Sequence, residues 1–99
     1  MPNLNKLLKQ AQKMQEQVQK EMEELVVNES AGGGMVSVQM NGHKQILKVT
    51  IDPTLLVATE KEMLEDLVVA AVNQAALKVD ETLQERLGGL GGGLGIPGF

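Results

Sequence analysis

Lys6, Lys9, Lys13 and Lys20 follow one another at spacings of 3, 4 and 7 residues. An α-helix turns once in roughly 3.6 residues, so these spacings place all four ammonium groups on one helical face. A row of cations can do one kind of chemistry: it can hold a polyanion. Only Glu16 offsets the row, so residues 1–20 carry +3, while the other 79 residues carry −7, for a total of −4. Acidic side chains are favoured near helix N-termini by the backbone dipole, yet none precedes Glu16. Gln10 and Gln17 lie on the lysine face and can hydrogen-bond phosphates or base edges. Glu21, Glu23 and Glu24 make the far end of the segment acidic, so anion contact is expected in its N-terminal half. The same pattern also describes the solvated face of an ordinary amphipathic helix.

Other residue types offer less. Gly32-Gly33-Gly34 is not followed by Lys-Ser/Thr and a helix, as a phosphate-binding loop requires, and reads as a strand-to-strand turn. His43 stands alone beside a turn signal. Glu62, Glu65, Asp66, Asp80, Glu81 and Glu85 fall mostly on the polar side of one helical pattern. General acid–base work needs a shielded pocket, and no nucleophile–base pair or metal constellation appears. The chain has no cysteine and one histidine, which argues against disulfides and a protein-only zinc site. A non-enzymatic protein without a cofactor or small-molecule substrate is expected.

The lysine row needs a helix to carry it, and the apolar residues supply the pattern. Leu4, Leu7, Leu8, Ala11, Met14, Val18, Met22 and Leu25 recur at threes and fours, predicting a helix over 4–25. Asn3 or Asn5 can cap it. The apolar stripe is centred roughly 160° from the lysines on a helical wheel, so one face is set for packing and the other for solvent or a partner. Leu25 to Ser30 reads as a short strand, and Val36, Val38 and Met40 alternate with polar residues as in a half-buried strand. Asn41-Gly42 predicts a two-residue type I′ hairpin turn. The return strand, 44–51, is expected to put Leu47, Val49 and Ile51 on one face, with Lys48, Thr50 and Ile46 on the other. After Asp52-Pro53, residues 54–57 suggest a helical turn, and Thr59 with Glu62 has capping-box spacing. A second helix is predicted over 60–87, with Leu64, Val68, Ala71, Val72, Ala75, Val79, Leu83 and Leu87 as its stripe, widened by Leu67 and Ala76.

The fold class is therefore α+β, with two helices flanking a small antiparallel three-stranded sheet in the order α-β-β-β-α. Residues 1–87 form one domain. Residues 88–99 hold seven of the eleven glycines and read as a mobile Gly-rich tail. A 99-residue chain whose one aromatic is Phe99 builds a marginal core, and pairing with a second copy is the cheapest remedy. The longest apolar run, Leu67 to Val72, is too short to cross a bilayer, and Met1 to Lys9 lacks the apolar core of a signal peptide. A soluble intracellular protein without a membrane partner is expected.

Taken in order along the chain, these segments resemble the YbaB/EbfC family of nucleoid-associated proteins. The resemblance is carried by Leu8-Lys9-Gln10-Ala11-Gln12-Lys13-Met14-Gln15, by Gly33-Gly34 and the strand ending Met40-Asn41-Gly42, and by Ile51-Asp52-Pro53 with Leu55-Leu56. It continues through Glu62-Met63-Leu64-Glu65-Asp66-Leu67-Val68, Ala70-Ala71-Val72-Asn73 and the terminal Gly95-Ile96-Pro97-Gly98-Phe99. It implies a tweezer-like homodimer with protruding helices, in the bacterial cytoplasm, that binds double-stranded DNA and associates with the nucleoid. It implies no cofactor. The choice of Lys6, Lys9, Lys13, Lys20, Gln10 and Gln17 as DNA contacts comes from the charge pattern. Lys78 and Arg86 are secondary candidates, on the premise that a dimer brings helix ends together. Members with paired basic residues in the last strand and mid-helix differ from this chain, which has Ile46-Leu47-Lys48-Val49 and Ala75-Ala76-Leu77-Lys78 there, one basic residue each. Helix-hairpin-helix order also describes prefoldin-like, chaperone-type modules, and an adaptor for DNA-repair or replication proteins is a further alternative. The first helix is shorter than a prefoldin arm and lacks long unbroken heptads.

Overall fold

The computed structural model describes residues 3–91. Helix α1 (Leu4–Glu24) leads into strands β1 (Val26–Ala31), β2 (Val36–Asn41) and β3 (Ile46–Ile51). Two 3₁₀ turns, Pro53–Leu55 and Ala58–Glu60, then deliver the chain into helix α2 (Lys61–Gly91). The strands form one antiparallel sheet in the order β1-β2-β3. The α+β class and the α-β-β-β-α order therefore match the sequence reading, and the whole is elongated, 70 × 20 × 15 Å.

The core lies where α2 crosses one face of the sheet. Val27, Val36, Val38 and Met40 point from β1 and β2 toward Ala71, Ala75, Val79, Leu83 and Leu87 of α2, and all nine are buried. Ala71 and Ala75 are fully buried; their short side chains let the helix lie close on the strands. Every residue of the predicted second-helix stripe is buried or half-buried. Each large apolar side chain so removed from water contributes about 1.5–3 kcal/mol. The opposite face of the sheet is polar apart from exposed Val26: Asn28, Gln39 and Lys48 align across the three strands, as do Ser30, Ser37 and Thr50.

Four local expectations are corrected. Asn41-Gly42 does not form a type I′ turn, because the positive φ falls on Lys44 at 63° and not on Gly42. Asn41 instead opens a wider loop. Its Oδ1 accepts the N–H groups of His43 (2.9 Å) and Gln45 (3.0 Å), and its carbonyl accepts the Lys44 N–H at 3.0 Å. That side chain mimics a backbone turn, as Asx residues do. Second, a β-bulge follows the loop and sets Ile46 opposite buried Met40. Direct cross-strand partners share a face, so Ile46 joins the apolar face rather than Lys48 and Thr50. Third, Thr59 lies inside a 3₁₀ turn whose cap, Val57, makes no side-chain bond, so no capping box forms. Fourth, α2 continues past 87 to Gly91. Glycine costs a helix interior only about 1 kcal/mol, and extending a helix already formed is far easier than starting one. The expectation of a mobile tail otherwise falls on residues 92–99, outside the described residues.

Candidate nucleic-acid interface

α1 is held at its root and free beyond it. Val18 and Met22 are half-buried against the core, and the following Leu25 is fully inside it. Gly42 is buried beside them: its N–H donates to the Leu25 carbonyl at 3.1 Å. A Cβ added at Gly42 would overlap the Met22 carbonyl oxygen and stand 2.6 Å from its Cα. Glycine is required here for close approach of the helix backbone, not for turn geometry. Arg86 of α2 completes the anchor through an ion pair with Glu21 at 3.3 Å.

From Leu4 to Gln17 every residue of α1 is exposed. The expected packing face is therefore realised only at the root. Leu4, Leu7, Leu8 and Met14 have no cover among the described residues, with Leu4 68% exposed. At about 1.5 Å per residue, roughly 21 Å of helix projects from Val18 to Leu4. Asn3 caps it, its Oδ1 accepting the Asn5 N–H at 3.0 Å.

Helix α1 carries Lys6, Lys9 and Lys13 on the arm and Lys20 just past the root at Val18, all exposed and none in an ion pair among the described residues. Gln10 is exposed beside them, while Gln17 leans back to the Glu21 carboxylate at 3.4 Å. The two secondary candidates lie apart. Lys78 is exposed on α2. Arg86 approaches the root of α1, but there Glu21 offsets its charge. The structure thus brings six candidates onto one helix and leaves Arg86 as an anchor.

Lys44 escaped the sequence reading. Its ammonium meets the half-buried Asp80 carboxylate at 2.7 Å, tying the β2–β3 loop to α2 across 36 residues. Nothing local in the sequence signals that pair. Asp52 is another positioning group: its carboxylate accepts the Thr54 N–H at 2.9 Å and the Thr54 hydroxyl at 2.7 Å. The backbone bond, then the hydroxyl, hold its pKa below the usual carboxylate value. Among the described residues no group of three His, Cys, Asp or Glu side chains could hold a metal ion. No described helix is long and apolar enough to cross a membrane.

The family model described as the YbaB/EbfC DNA-binding family matches residues 1–94. A nucleoid-associated protein of Koribacter versatilis is 46% identical over 97 residues, covering 98% of this chain and 96% of that protein. One from Acetivibrio thermocellus is 49% identical over 101 residues, covering 98% and 89%. One from Xanthomonas campestris is 48% identical over 98 residues, covering 96% and 91%. The crystal structure of an uncharacterized Helicobacter pylori protein superposes with a TM-score of 0.74 at 24% identity, over 91% of this chain and 98% of that one. That likeness bears on the fold alone.

Proposed function

Because the chain belongs to the YbaB/EbfC DNA-binding family, we propose that it binds double-stranded DNA as a nucleoid-associated homodimer, chiefly through phosphate contacts from α1. The observation that carries this reading is a helix whose four lysines, three of them on the projecting arm, are unpaired among the described residues, on a body whose remaining charge is acidic. Lys6, Lys9 and Lys13 are separated by about 4.5 and 6 Å along the helix axis. Phosphates on one strand recur each 3.4 Å of duplex axis, so an arm laid along or across the backbone meets several. Phosphate contacts position a protein without reading bases, so sequence preference is weak. Gln10 is the residue of the lysine face suited to a base edge, while Gln17 is engaged with Glu21. The role is binding, not catalysis, without cofactor, in the bacterial cytoplasm.

The apolar surface supports the homodimer. β3 is an edge strand, and Ile46, Leu47 and Val49 on it are 48%, 50% and 42% exposed. Val69 and Leu77 of α2 are likewise exposed. An uncovered apolar edge strand invites pairing with another chain, and a second copy seated there would double the number of lysine arms.

The test is a gel shift with random-sequence duplexes, run beside a determination of solution mass. Lys9→Glu/Lys13→Glu should lose binding, whereas Lys48→Glu, on the polar sheet face, should keep it. Unchanged binding by a folded Lys9→Glu/Lys13→Glu variant would remove α1 from the interface.

A further inference from the structure

The DNA reading uses the lysine face of α1 and leaves its leucine face without a partner among the described residues. Leu4, Leu7, Ala11, Met14 and Val18 alternate at spacings of 3 and 4, the a and d positions of a helix-pairing heptad. The flanking e and g positions are Asn3, Leu8, Gln10, Gln15 and Gln17. All five are uncharged. Lys6, Lys13 and Lys20 fall at c, and Lys9 at f, the outermost positions. Identical helices that met along this stripe would therefore bring no like charges together at their flanks, where such repulsion decides partner choice. An anionic bilayer fits less well, since lysines that serve it snorkel from the flanks of an apolar stripe, and here glutamines stand there.

Charge also selects an orientation. Residues 4–13 of α1 carry three lysines and no acid, while 16–24 carry four glutamates and Lys20. In an antiparallel register centred on Ala11, Lys6 of each helix lies level with Glu16 of the other, and the helix dipoles oppose. Parallel pairing sets basic beside basic. The antiparallel register sets Leu4 opposite the exposed rim of Val18 and brings Leu7 to within about 1.5 Å of level with Met14, and the small Ala11 side chain permits close approach.

We propose that α1 pairs antiparallel with α1 of a second copy through Leu4, Leu7, Ala11 and Met14, leaving lysines on both outer faces of the pair. The two bodies then lie at opposite ends of the pair, so the copies joined are not the two that meet at β3. The pair presents cations in two opposite directions and bridges two duplexes. The bridging rests on the DNA reading above; the pairing does not. A contact of about two heptads is weak alone and gains from the high local concentration of arms arrayed on DNA.

The chain has no cysteine, which permits a direct test on the full-length protein. Ala11→Cys should form an interchain disulfide at least about tenfold faster than Gln12→Cys, because pairing raises the local thiol concentration toward millimolar. The linked species should contain two chains under denaturing conditions and at least four in native solution, because each pair formed at β3 carries two arms. Leu7→Gln/Met14→Gln alters only side chains exposed in the subunit, so its circular dichroism should be unchanged. It should bind one duplex within about twofold of the parent, and it should no longer bring two differently labelled duplexes into energy transfer, because bridging alone depends on the many weak arm contacts. Equal disulfide rates at positions 11 and 12, or undiminished bridging by the double variant, would overturn the pairing, as would capture by phosphatidylglycerol vesicles without the disulfide. Rapid Ala11→Cys linkage in a protein that binds no duplex would sink the DNA reading alone.

Discussion

Neutralising Lys9 and Lys13 tests the arm quantitatively. Both side chains are exposed and unpaired among the described residues, and glutamine matches lysine closely in helix propensity. Lys9→Gln/Lys13→Gln should therefore leave the fold and its stability unchanged. A dimer presents eight α1 lysines, four from each chain. If half of them neutralise phosphates, log K falls with log salt at a slope of about −3.6, at roughly −0.9 per phosphate. Affinity then drops about 150-fold between 50 and 200 mM salt. With two such contacts left, the slope becomes about −1.8 and the drop about 12-fold. Fluorescence anisotropy of a labelled random duplex across that salt range reads both slopes. A folded double variant with an unchanged slope would refute phosphate contact by these lysines, whatever its absolute affinity.

Three further outcomes concern the body that aims the arm. Gly42→Ala places a Cβ against the Met22 backbone; overpacking of this kind costs about 1–3 kcal/mol, and thermal melting should fall by about 4–8 °C per kcal/mol. Leu83→Ala empties a fully buried position on α2 and should cost about 2–5 kcal/mol in urea unfolding, without shifting the salt slope of the folded fraction. Asp52 is held below its usual pKa by Thr54, so its stabilisation is present above the unfolded carboxylate range and lost as pH falls through the lowered folded value. The unfolding midpoints at pH 7 and pH 3 should differ less in Asp52→Asn than in the parent.

The legible parts of this fold are those set by local periodicity. The α2 stripe predicted from Leu64 to Leu87 is the stripe that packs, because a 3.6-residue pattern is read within one element. The lysine row is legible for the same reason. Gly42 misled because glycine has two uses: the Asn-Gly pair signals positive φ, but here the absent Cβ makes room for the Met22 backbone. Ile46 misled because its face depends on a bulge relative to β2, a property of pairing and not of the strand. The leucines of α1 were legible as an apolar face, but periodicity cannot say whether the cover comes from the same chain. Arg86 shows the same limit for charge: its partner Glu21 is 65 residues away.

Reach gives the arm its use. Outside residues 1–20 the chain carries −7, and a polyanion approaching the body meets repulsion. That repulsion decays over a Debye length of about 8 Å at physiological salt. Lys6 stands roughly 18 Å beyond the root at Val18 and Lys9 roughly 13 Å, both outside this range, whereas Lys20 lies on the body side of the root beside Glu21, Glu23 and Glu24. The four lysines are therefore unequal despite sharing a face. Lys6→Gln should weaken duplex binding at physiological salt clearly more than Lys20→Gln does, and the gap should narrow at about 1 M salt, where the Debye length is near 3 Å and the body is screened everywhere. Equal losses from the two single variants at physiological salt would mean that the acidic body exerts no such bias and that duplex lies along the whole length of α1.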